Sequence, residues 1–123
     1  MFSQASEKAI IEGIDGNALL AECTQVIRLL DGESLTEVQT CLVSSCLGYM
    51  EGFSDAQLWY VALMDADPIY CSPKGAKFGQ LVRVIVKWLK DHPESLHLNK
   101  ATITGIALRD AFPCSQQPKS EDP

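Results

Sequence analysis

Leu35, Val38, Leu42, Tyr49, Phe53 and Tyr60 fall on one broad stripe of a helical wheel turned by about 100° per residue, the spacing of an amphipathic helix with a core-facing side. No stretch of the chain alternates apolar and polar residues, so nothing in it asks for a sheet. The same long segment carries Cys41 and Cys46, and beside its apolar stripe run the small residues Ser45, Gly48, Gly52 and Ala56. A glycine inside a helix costs about 1 kcal/mol relative to alanine. Gly48 and Gly52 are therefore expected to admit the close approach of another helix, from the same chain or from a second copy. Ser44, Ser45, Glu51 and Asp55 interrupt the apolar run far short of the ~20 residues of a membrane span, so membrane insertion is not expected.

Around this segment the punctuation predicts further helices. Leu19, Leu20, Cys23, Ile27 and Leu30 have helical spacing, with Asp15 or Asn17 as N-cap and Asp31-Gly32 as stop. Ser34 followed three residues later by Glu37 matches a capping box that starts the long helix, which should run to about Met64. Residues 65–75 hold two prolines and a glycine and read as a loop. A third helix is expected from about Lys77 to His92, where Pro93 stops it, and a fourth from an Asn99 cap to about Phe112. The expected fold class is all-α, a compact bundle of about four to five helices stapled by disulfides. Residues 1–15 read as a flexible arm, 16–114 as a single helical domain, and 115–123 as a polar, disordered tail.

Five cysteines in 123 residues, with no CxxC and with His92 and His97 far from every cysteine pair, favour disulfides over zinc and an oxidising compartment over the cytosol. The chain begins MFSQASEKA, without a basic and apolar leader. An oxidising location then expects Met1 to stand where an export signal has been removed. Cys41 and Cys46 point about 140° apart on one helix and cannot bridge each other without breaking it. Cys23 lies on the preceding, antiparallel helix, and Cys71 and Cys114 each lie just outside a helix. The expected pairs are Cys23 with Cys46 and Cys71 with Cys114, leaving Cys41 as a buried thiol beside Leu42 and Val43.

Among functional patterns, the enzyme reading is the weakest. His92 and His97 do not have HExxH spacing, and Pro93 removes the helix that such a motif needs. No serine sits in a nucleophile elbow, and Asp65 with Asp67 lacks the further oxygen ligands of a cation site. No catalytic residue, metal or cofactor is assigned. The formal net charge of −6 argues against nucleic acid as a partner. A binding role has more support, because Trp59, Asp65, Asp67 and Tyr70 combine aromatic anchors with carboxylates, as a surface built for a basic cleft would. A structural or chaperone-like helical protein of the periplasm fits the same composition.

Several short motifs in a fixed order carry a family resemblance. Gly16-Asn17-Ala18-Leu19-Leu20 precedes Cys23, and Cys46-Leu47-Gly48-Tyr49-Met50-Glu51-Gly52 is followed by Asp55-Ala56. Further on come Cys71-Ser72-Pro73, Gln80-Leu81-Val82-Arg83 with Trp88-Leu89, Asp91-His92-Pro93-Glu94, and Ala107-Leu108 leading to Ala111-Phe112-Pro113-Cys114. Together they resemble the Rap/Tai family of type VI secretion immunity proteins over residues 16–114. The resemblance implies a small all-helical periplasmic protein, often a homodimer, that neutralises a peptidoglycan-cleaving amidase as its cognate effector. Two departures stand out: Cys41 is an extra cysteine, and Ser72 occupies a position that is more often aliphatic.

Overall fold

The computed structural model, which describes residues 14–114, holds four helices among them: α1 (Gly16–Leu30), α2 (Glu37–Met64), α3 (Phe78–Asp91) and α4 (Lys100–Ala111). A single 3-10 turn, Pro93–Ser95, joins α3 to the segment before α4, and no strand occurs among the described residues. The expected arm and tail lie outside the described residues except for Ile14 and Asp15. These two belong to the fold: Asp15 Oδ1 accepts from the Ala18 amide at 3.0 Å as the cap of α1, and the Lys100 amide donates to the Ile14 carbonyl at 2.9 Å. Asp15 also pairs with Asn99, the cap of α4, in an isolated antiparallel bridge, so the starts of α1 and α4 are tied together.

The start of α2 corrects the sequence reading by two residues. The capping box is Thr36 with Gln39, not Ser34 with Glu37: Thr36 Oγ1 accepts from the Gln39 amide, and Gln39 Oε1 accepts from the Thr36 amide. Two overlapping motifs share this spacing. The later one leaves Glu37 in the first turn, where its charge faces the positive end of the helix dipole. It also lets Leu35 pack against the core just before the cap.

Packing centres on α1, which lies against α2, α3 and α4. Leu19, Cys23 and Val26 from α1 meet Val43, Cys46 and Met50 from α2, while α3 contributes Leu81, Val82, Ile85, Val86 and Leu89 and α4 contributes Ile103, Ala107 and Leu108. Each large side chain buried here contributes on the order of 1.5–3 kcal/mol. Cys23 is bonded to Cys46 (Cα–Cα 5.2 Å) and Cys71 to Cys114 (Cα–Cα 4.8 Å), the pairing expected from sequence.

One geometric fact overturns the expected burial of Cys41 and the approach of a helix of the same chain to Gly48 and Gly52. The inward face of α2 is set by Leu42, Val43, Cys46 and Met50, and the opposite face looks at solvent. Cys41, expected to be buried, is free and exposed on that outer face. Gly48 and Gly52 share it, and a Cβ at either position would meet nothing within 4 Å. No helix of the described chain approaches these glycines. The close approach occurs instead at Gly16, where a Cβ would stand 2.5 Å from Ile103 Cδ1 and 2.8 Å from the Leu96 carbonyl oxygen.

Candidate functional site

After Met50, α2 contributes no fully buried residue although it continues for fourteen more positions, to Met64. Its second half runs past the bundle. Leu58, Trp59, Leu63 and Met64 are each about two-thirds exposed, and Tyr60 is about half exposed. On the helical wheel these five side chains span about 240°, so this end of the helix is apolar on most sides. Tyr60 therefore corrects the sequence reading that placed it in the core: it continues the apolar stripe, but the helix has outrun the partners that would cover it.

Carboxylates flank the apolar end. Asp55 lies one turn before Trp59 on an exposed position, and Asp65 ends the helix in the left-handed region at φ 48. Asp67 follows in the loop and is exposed as well. No basic residue occupies the last turn of α2, so the negative end of the helix dipole and the carboxylates add to one another. The ridge is thus apolar at its crest and negative at its tip.

The loop is fastened to the helix by Gln57. Its Oε1 accepts from the amides of Ile69 (2.9 Å) and Tyr70 (3.1 Å), and its Nε2 donates to the Tyr70 carbonyl at 3.3 Å. Tyr70, expected at the contact surface, is only 4% exposed. Its ring stacks on Phe53 with centroids 6.3 Å apart, and its hydroxyl lies 3.1 Å from Ser54 Oγ. Tyr70 thus supports the ridge from behind, whereas Trp59, Asp65 and Asp67 are exposed. The loop is secured further on by the Cys71–Cys114 bond and by the Cys71 amide donating to the Phe112 carbonyl at 2.9 Å. Between the second half of α2, the loop and the start of α3 lies an open groove of about 450 Å³, bordered by Gln57, Leu58, Tyr70, Lys77 and Phe78.

Sequence reasoning missed Gln57, Leu58, Leu63 and Met64. A signal for the last three was present: Leu58, Trp59, Tyr60, Leu63 and Met64 overfill any single helical face, so they cannot all be core. Elsewhere, the His92 ring stacks on Trp88 at 4.0 Å, with Nδ1 2.7 Å from the Trp88 carbonyl oxygen, which engages it at its own helix end. Among the described residues, no three His, Cys, Asp or Glu side chains gather as a metal site would require, and no helix is long and apolar enough to cross a membrane.

The family profile of the Rap1a immunity proteins matches residues 15–114, which covers all four helices and all four bonded cysteines. No curated protein and no solved structure matches the chain.

Proposed function

The chain belongs to the Rap1a immunity protein family, and we propose that it protects its cell by binding a type VI secretion effector, a peptidoglycan amidase, in the periplasm. Inhibition is steric. The observation that carries this reading is the second half of α2, an apolar helix end that the other described residues of the disulfide-stapled bundle leave uncovered. Trp59, with Leu58 and Leu63 on either side, is the anchor that enters the effector's cleft, and Asp65 and Asp67 face basic groups at its rim. A surface already held by Gln57 and the Cys71–Cys114 bond loses little conformational freedom on binding.

Co-expression of the exported protein with a candidate amidase tests the role: cells survive with the wild-type chain and lyse without it. Lysis in both cases rejects that amidase as the target. In purified components, Trp59→Ala is expected to raise Kd by about 30-fold or more through faster dissociation, the range of a central tryptophan anchor. Asp67→Lys is expected to slow association, most at low salt. Wild-type kinetics in both variants would remove this surface from the interface.

A second copy would bind elsewhere on the same helix. The exposed face bearing Cys41, Gly48 and Gly52 offers small side chains over which two α2 helices can approach closely. Gly48→Leu then splits the dimer without unfolding the monomer. An unchanged mass in solution would rule that face out.

A further inference from the structure

Glu22 occupies the inward face of α1, three residues after Leu19 and four before Val26, and is 1% exposed. The adjacent Cys23 is bonded to Cys46 of α2, which fixes this part of α1 against α2. Among the described residues, Glu22 Oε2 has no hydrogen-bond partner, and neither has the buried hydroxyl of Tyr49 from α2. From α4 come Lys100, whose Nζ lies 4.5 Å from the centre of the Tyr49 ring, and Thr104, fully buried, whose hydroxyl donates to the Lys100 carbonyl at 2.7 Å. The buried face of α3 is made of Leu81, Val82, Ile85, Val86 and Leu89 and brings no charge. Among the described residues, Lys100 and Tyr49 are therefore the titratable groups that face this carboxyl.

Burial raises the pKa of Glu22, and the opposing effects of the Lys100 charge and the Ser45 hydroxyl do not cancel it. Tyr49 is raised too, by burial first, with the Thr104 hydroxyl opposing and the Glu22 charge adding. Tyr49 thus stays protonated through the range in which Glu22 titrates, and the carboxyl is the group that changes charge.

We propose that Glu22 makes the joint of α1, α2 and α4 proton-linked: the neutral carboxyl is accommodated there, and loss of its proton to solvent strands a charge away from water and loosens the joint. The folded state holds the proton more tightly than the unfolded chain, so the stabilisation is complete below the unfolded pKa. It is lost as pH rises through the folded pKa. This linkage does not depend on the identity of any effector.

The test is denaturant unfolding of the oxidised protein and of Glu22→Gln, which keeps the shape and cannot ionise, from pH 4.5 to pH 8. Relative to Glu22→Gln, the wild-type folding equilibrium constant is expected to fall by up to about tenfold per pH unit until the folded pKa is reached, and then to run parallel. Parallel profiles throughout would overturn the proposal. The carboxyl carbon resonance of Glu22 in the wild-type protein supplies a reading that does not require the variant to fold. Its inflection is expected above the ordinary glutamate value of about 4.3, and an inflection at or below that value would equally overturn it.

Discussion

Replacing Gly48 and Gly16 by alanine should move stability in opposite directions, although both glycines are helical. At Gly48 the new methyl group meets nothing within 4 Å, and the position is exposed inside a long helix. The gain is then the helix propensity of alanine together with the smaller entropy of the unfolded chain, about 1 kcal/mol. Gly52 is equally open, and the double variant should gain about 2 kcal/mol. At Gly16 the methyl would stand 2.5 Å from Ile103 Cδ1 and 2.8 Å from the Leu96 carbonyl oxygen. Ile103 can shift, but Leu96 cannot do so freely, because its carbonyl accepts from the Asn17 amide at 3.1 Å while the Gly16 amide donates to Leu98 at 3.0 Å. Overpacking of this kind costs about 1–3 kcal/mol, more than the small propensity gain at the first position of a helix. Guanidinium unfolding with unchanged m-values reads both effects as shifts in midpoint. A Gly16→Ala midpoint at or above wild type would refute the close packing of α1 on the segment before α4. A destabilised Gly48→Ala of unchanged mass would refute the open outer face of α2.

The two disulfides should differ in what their loss does. By loop length, with separations of 23 and 43 residues, closing Cys23–Cys46 restricts the unfolded chain by about 3.5 kcal/mol and closing Cys71–Cys114 by about 4 kcal/mol. Paired Cys→Ala variants measured by thermal unfolding should both lose stability on that order, and an unaffected variant would refute the estimate for its bridge. Gln57→Ala removes three hydrogen bonds to the loop backbone and should cost about 1–3 kcal/mol while raising amide exchange at Ile69 and Tyr70. Wild-type protection at those two amides would show that the loop is held by its disulfide alone.

Apart from the start of α2, the helix boundaries were legible because their signals are local. Asp15 and Asn99 act as caps, Gly32 takes a positive φ just after Asp31, and Pro93 lies just beyond the end of α3, as the sequence reading required. The disulfide pairing was legible from the places of the cysteines: Cys41 and Cys46 exclude each other on one helix, Cys23 lies on the adjacent antiparallel helix, and Cys71 and Cys114 lie just outside helices. Which face of α2 is covered was not legible. Periodicity locates a stripe but not how far along the helix the partners extend, and Tyr60 on that stripe is about half exposed. For the same reason, Gly48 and Gly52 read as a place where a helix of the same chain could pack, when the glycine crowded within the chain is Gly16, whose neighbours Leu96 and Ile103 lie some 80 residues away and leave no local trace. Glu22 was overlooked although its place on the stripe between Leu19 and Val26 marked it as buried.

The two halves of α2 divide the work of the molecule. The first half carries Cys46 and Met50 into the core and is fixed to α1 by a covalent bond. The second half, alone in water, is too short and too exposed to remain helical, since isolated helices below about 12–15 residues are marginal. It is kept helical by continuity with the first half and by the loop that returns along it, which Gln57 grips from one side and Cys71–Cys114 anchors at its end. Tyr70, stacked on Phe53, fills the space between them. An apolar ridge held this way is ordered before any partner arrives, and its carboxylates together with a net charge of −6 oppose self-association through the same surface. The loop clamp, rather than the core joint at Cys23–Cys46, is therefore the element on which the proposed interface depends. Loosening the clamp should weaken effector binding by more than its effect on global stability alone would predict.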